Sequence, residues 1–270
     1  MNLDAIREVA DEVRVIGRAV MIRGDCLTVP LPHVAHIVSD PPYEAIMHAS
    51  KMGPGFKGLV RPDGSHHCKP LTFAPVNEIR PAIVALGEQC DGWFIAFCTS
   101  EGVWPWAQEI NASPMKYKRA CVWIKPDSTP QMNGQGPAQG AEHFVCAWAG
   151  KGHAKWNAGG KRGVYTCCVN GPERHGAHPT EKPRKLMADI LKDFTNYGDL
   201  ICDPFLGSGT TGVAAVQMGR DFIGVELDPH YFEIACKRVE DAQRQGDLLI
   251  DAPPPAKPEQ QGFDLTEDAA

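Results

Sequence analysis

The chain reads as an α/β fold built on one mostly parallel, Rossmann-like sheet, and three observations predict it. Short apolar runs of strand length alternate with segments of helical period, the pattern of parallel strands joined by crossover helices. The apolar run Leu200-Ile201-Cys202 feeds a glycine turn at Gly207, Gly209 and Gly212 that opens a helix. Another run, residues 36–39, is stopped by Pro41 and Pro42, which cannot continue a β-ladder.

Taken in order, residues 1–13 read as a short amphipathic helix, and 19–22 as a strand ending at Gly24 and Asp25. The strand 36–39 comes next. Residues 44–75 are rich in Gly, Pro, His and Lys without a clear period and read as a loop inserted over that strand's end. A helix over 76–90 precedes a strand over 92–98, and 103–110 is helical. Strands over 119–124 and 143–148 form an antiparallel pair around a Gly- and Pro-containing loop, 126–140. Next come the basic segment 150–177 and a helix that puts Leu186, Met187, Ile190, Leu191 and Phe194 on one face. The strand 200–202, a helix over 211–218 closed by Gly219 and a strand over 221–226 follow. Asp228 caps a last helix, 229–245, with Pro229 at its first position. Residues 1–245 therefore read as one domain, and 246–270, with Pro253, Pro254 and Pro255, as a disordered acidic tail.

A chain of 270 residues with 43% apolar content can bury one sizeable core. It has no apolar run of bilayer length and does not open as a secretory signal, so a cytoplasmic protein is expected, with no membrane partner. Its 10 cysteines form no C-x-x-C pair, and Cys98, Cys121, Cys146, Cys202 and Cys236 fall inside apolar patterns, so they are expected reduced. His66-His67-Cys68 and Cys167-Cys168 lack the spacing of zinc ligands, and no metal is expected. The net charge of −6 comes entirely from the residues beyond 239, whereas 151–192 carries a local excess of bases over acids. Such a segment can dock phosphates or can be a solvated loop.

In parallel sheets ligands bind beyond the carboxyl ends of the strands. Four of those ends carry chemistry: Asp25, Asp40, Asp203 with its glycine turn, and Glu226. Gly207 and Gly209 let backbone approach a ligand, and the free N–H groups of the helix starting near Thr210 supply a positive end. Glu226 follows the turn at the interval of an acid that accepts hydrogen bonds from ribose hydroxyls.

These residues resemble the amino-group DNA methyltransferases that use S-adenosylmethionine, in the β arrangement of their motifs. Asp40-Pro41-Pro42-Tyr43 is similar to the catalytic tetrapeptide and Asp203-Pro204-Phe205-Leu206-Gly207-Ser208-Gly209-Thr210 to the cofactor loop. His178-Pro179-Thr180-Glu181-Lys182-Pro183 resembles the segment that helps hold the cofactor's methionine end. The resemblance implies a circularly permuted class I methyltransferase fold, a mostly parallel seven-stranded sheet with an antiparallel hairpin. It implies Asp40, Pro41, Pro42 and Tyr43 as catalytic residues. Asp25, His178, Lys182, Asp203, Phe205, Gly207, Ser208, Gly209, Thr210 and Glu226 are implied as the S-adenosylmethionine site. The expected activity is methylation of adenine N6 in a specific double-stranded DNA sequence, after the base is flipped out. Cytosine N4 is the near alternative, and an NAD-dependent oxidoreductase or a DNA-binding regulator without turnover the distant ones. The short segment 150–177 is the expected target-recognition region. Recognition would then be shared with the 44–75 loop or a second subunit, and a homodimer is expected.

Overall fold

In a computed structural model of the chain the described residues are 1–43, 76–128, 136–170 and 181–245. The inserted loop with His66-His67-Cys68, residue His178, the end of the basic segment and the acidic tail lie outside them.

The described residues form one nine-stranded sheet. Its strands are β1 (Glu12–Ile16), β2 (Ala19–Arg23), β3 (His36–Ser39), β4 (Trp93–Cys98), β5 (Lys116–Ile124), β6 (Ala141–Trp148), β7 (Val164–Thr166), β8 (Leu200–Asp203) and β9 (Asp221–Glu226). They lie in the order β1-β2-β9-β8-β3-β4-β6-β5-β7. From β2 to β4 every pairing is parallel, and β4, β6 and β5 pair antiparallel. The seven expected strands are all present, and β1 and β7 extend the sheet at its two edges.

Both additions correct the reading of the ends. The expected helix over 1–13 stops early: α1 (Leu3–Arg7) is capped by the Asn2 side chain, and the chain then turns into β1. Val13 and Val15 alternate with charged residues and are stiff at χ1, which suits an edge strand paired with β2. In the basic segment, where no strand is expected, β7 pairs with β5, and buried Tyr165 donates to Asp193 at 2.7 Å.

The remaining helices are α2 (Val76–Leu86), α3 (Val103–Ala112), α4 (Arg184–Phe194), α5 (Thr210–Gln217) and α6 (Pro229–Arg244). The first two and α1 cover one face of the sheet with Ile6, Ile83, Trp106 and Ile110, over Ile22, Ile37 and Phe94. The last three cover the other with Leu186, Ile190, Phe194, Val213, Phe232 and Val239, over Met21, Val38, Ile95 and Phe97. Burial on both faces explains why β4 is apolar throughout rather than alternating. Trp93, Trp123 and Trp148 are core, as is Trp106, whereas Trp104 is exposed. The last strand, β9, pairs in parallel with β2. The two ends of the fold thus meet inside the sheet, the geometry a circular permutation requires.

Strand order reverses between β8 and β3. From β8 the chain moves through α5 to β9 on one side; from β3 it moves to β4 on the other. The crevice between those two carboxyl ends is the topological switch point of the sheet.

Candidate active site at the switch point

Ser39 ends β3 and Asp203 ends β8, and the Ser39 hydroxyl donates to Asp203 Oδ1 at 3.0 Å across the junction. The Phe205 amide donates to the same oxygen at 3.1 Å, which bends the chain out of the strand into the glycine turn. Burial raises the Asp203 carboxyl to about 6 against these hydrogen bonds.

The turn depends on two left-handed glycines, Gly207 at φ 54° and Gly209 at φ 83°, the latter capping α5. Their surroundings differ. A Cβ on Gly209 would lie 2.9 Å from the Ala235 side chain, so here glycine permits helix packing. A Cβ on Gly207 would meet no described atom within 4 Å; it would stand in open space. Gly212 serves packing too, since its Cβ would lie 2.7 Å from the Phe222 ring. Glu226 closes the turn from β9: Oε2 accepts from the Gly207 amide at 2.7 Å and Oε1 from the Asp228 amide at 2.8 Å. Burial nevertheless raises its carboxyl to about 7.

Three expected residues turn elsewhere. The Ser208 and Thr210 hydroxyls accept from Arg238 of α6 at 2.8 and 3.4 Å, and Arg238 also donates to Glu181 at 2.6 Å. They brace the turn against the last helix. Asp25 lies on the same edge, next to Gly24, whose amide donates to the Glu226 carbonyl, but its exposed carboxylate accepts from the Leu27 amide at 2.9 Å within its own turn.

On the β3 side, Asp40, Pro41, Pro42 and Tyr43 lead out of the strand. Lys182, expected at the cofactor, places its ammonium 2.5 Å from Asp40 Oδ2 and 2.9 Å from the Tyr43 hydroxyl. Tyr43 in turn donates to Glu142 Oε2 at 2.8 Å, and Lys125 donates to Glu142 Oε1. Burial raises Asp40 from its ordinary value, and the pull of Lys182 opposes it. For Glu142 burial also acts upward, yet Lys182 and Lys125 outweigh it and bring the carboxyl down to about 2. Asp40 Oδ1 is buried and has no hydrogen-bond partner among the described residues. A buried carboxylate oxygen left in that state is an acceptor for a donor brought by a ligand.

Reasoning from sequence did not single out Ser39, Glu142, Lys125 or Arg238. A lone Glu in an apolar strand carries no local signature; only the antiparallel course of β6, which begins where β3 and β4 end, brings Glu142 to this edge.

The family model described as DNA methylase, for the N6 and N4 methyltransferases, matches residues 34–237. The chain belongs to this DNA methylase family. Among curated relatives, the type II methyltransferase M.Cfr9I of Citrobacter freundii is 29% identical over 199 residues, 70% of this chain and 58% of that protein. The type II methyltransferase M2.DpnII of Streptococcus pneumoniae is 52% identical over 65 residues, 24% of each chain. The match thus spans about a quarter of one of these methylases and little more than half of the other. Among solved structures, the complex of M1.HpyAVI with SAM is 25% identical with a TM-score of 0.58, over 77% of this chain and 89% of that one. The PvuII DNA methyltransferase, cytosine-N4-specific, shares the fold at a TM-score of 0.63 and 16% identity, over 85% of this chain and 92% of that one. No described helix of this chain is long and apolar enough to cross a membrane.

Proposed function

We propose that this methylase transfers a methyl group from S-adenosylmethionine to the N6 amino group of adenine in a specific double-stranded DNA sequence. The observation that carries the reading is the meeting of Asp40 and the glycine turn at one switch point, with Asp40 Oδ1 unpartnered beside it. When bound, S-adenosylmethionine supplies an electrophilic methyl on a sulfonium. The residues suit it: open space beside Gly207 admits a ligand close to backbone, and Glu226 is a buried acceptor for ribose hydroxyls. Named alongside it in this reading are Asp203, Phe205 and Lys182.

The chain's own work is positioning. An aromatic amino group is a poor nucleophile because its lone pair is delocalised into the ring. Accepting its N–H groups at Asp40 Oδ1 and the Pro41 carbonyl localises the lone pair and aims it. Pro41 and Pro42 hold that carbonyl rigid. Tyr43, pinned through its hydroxyl, offers a ring face to the extruded base. The carboxylate at position 40 is an anionic acceptor, and this supports adenine over cytosine N4. Residues 1–245 act as the catalytic unit in this reading, as a homodimer that shares target recognition between copies.

Nucleoside mass spectrometry and modification-aware sequencing of DNA from cells expressing the wild-type chain or Asp40→Ala test it. N6-methyladenine at one sequence, lost in Asp40→Ala, is the expected result. N4-methylcytosine instead would reassign the base, and no methylated base would overturn the reading.

A further inference from the structure

Glu142 stands out among the groups around Asp40 because it pairs with Lys182, the partner of the reacting carboxylate, and accepts from the Tyr43 hydroxyl. Its side chain is 13% exposed, as is that of Lys125, and Lys182 is 8% exposed. The four charges alternate in a row: Lys125, Glu142, Lys182, Asp40. An ammonium has three donors, and those of Lys182 have three acceptors in reach: Asp40 Oδ2 at 2.5 Å, the Tyr43 hydroxyl at 2.9 Å and Glu142 Oε2 at 3.4 Å. The Lys182 ammonium also lies 5.1 Å from the Tyr43 ring and 5.0 Å from the Phe97 ring, which fix its place further. Held this way, Lys182 bonds Asp40 through Oδ2, and Oδ1 has no hydrogen-bond partner among the described residues.

We propose that Glu142 is a positioning residue of the methyl transfer. It draws Lys182 and the Tyr43 hydroxyl to one side, so that Lys182 engages only Oδ2 of Asp40 and Oδ1 stays free to accept the base amino group. Lys125 sets how strongly Glu142 pulls. The inference rests on the function proposed above and adds two residues to it.

Without the charge at 142, Lys182 moves onto Asp40 and competes with the amino group for its carboxylate. Glu142→Gln is expected to lower kcat about 10- to 100-fold, the scale of a small misplacement of reacting groups, with KM for duplex DNA and affinity for S-adenosylmethionine within about twofold. The pH profile separates this role from a merely structural one. The groups facing the cluster are Asp40, Tyr43, Lys125, Glu142 and Lys182, with the Cys98 thiol beside Tyr43 and Asp203 beside Asp40. The negative charge of Glu142 raises both Asp40 and Lys182, so its removal lowers both, and the kcat profile of Glu142→Gln moves to lower pH. Lys125→Met leaves Glu142 less compensated and moves the profile the opposite way. Glu142→Asp keeps the charge and recovers part of kcat with the profile near its wild-type position.

Opposed shifts in the two variants support the proposal. Unmoved profiles in an active enzyme overturn it, even if the amount of folded protein falls. Should Glu142→Gln not fold, the upward shift in Lys125→Met with partial recovery in Glu142→Asp decides the matter alone. A wild-type protein that methylates no base refutes the underlying reading instead, a result distinct from an active wild type whose variants share its profile.

Discussion

Replacing Lys182 by methionine tests the electrostatics of the site, because the change keeps much of the side chain's volume and removes its charge together with the donors to Asp40 and Tyr43. In the wild type the ammonium lies 2.5 Å from Asp40 and 3.4 Å from Glu142, almost wholly shielded from water. Breaking a buried ion pair from one side typically costs about 3–5 kcal/mol, since the remaining charge is stranded. Lys125 still compensates Glu142, so the stranded group is Asp40. Its carboxyl, already raised above 3.8 by burial with Lys182 pulling it down, rises further once Lys182 is gone. A raised acid destabilises the folded state fully above its folded pKa, and the penalty fades as pH falls through that value toward the unfolded one. Lys182→Met should therefore be destabilised by about 3–5 kcal/mol near pH 8, a Tm drop on the order of 10 °C for a chain of this size. Near pH 5 the deficit should shrink by at least roughly half. Thermal and urea unfolding at both pH values measure it. An equal deficit at the two pH values, or none at the higher, would refute the claim that Lys182 compensates a half-buried Asp40.

The two left-handed glycines should part company on substitution. Gly207→Ala is expected to cost only about 1 kcal/mol of stability, for its φ, while abolishing measurable S-adenosylmethionine binding by calorimetry, because the new methyl stands in the ligand's space. Gly209→Ala adds a collision with Ala235 to the same strain and should lose roughly 2–4 kcal/mol, seen in denaturant unfolding. For Glu226, raised from 4.5 to about 7, the ligand-free protein gains stability as pH falls from above 7 toward 4.5. Cofactor affinity should run the other way, weakening up to about tenfold per pH unit below 7, and Glu226→Gln should flatten that slope in titrations across pH. Trp106→Ala, fully buried on the opposite face, should lose about 3–5 kcal/mol without moving the kcat of the surviving folded enzyme.

Most of the fold was legible because its signals are local. The apolar runs that became β3, β8 and β9 each carry their own stop: Pro41 and Pro42, the glycine turn, Asp228 as a cap. The misreadings fell where local signals are weakest. The helical period expected over 1–13 ends in a turn after Arg7, and residues 12–16 become strand through pairing with β2. Three residues inside a basic segment cannot announce themselves as β7 without the β5 edge beside them.

Residue types and spacing alone determined that an acid-proline-proline-tyrosine turn and a glycine turn exist on separate strands, and that both belong at strand ends. Tertiary structure decided that those ends are neighbours, since only the strand order sets Ser39 against Asp203. It also decided which groups gather at that junction, bringing Lys182, Glu142 and Lys125 into one row with Asp40 and pairing Ser208 and Thr210 with Arg238. The physical reason is range: caps, breakers and periodicity act within a few residues, whereas a buried charge takes its partners from whatever elements the sheet brings within a few ångströms.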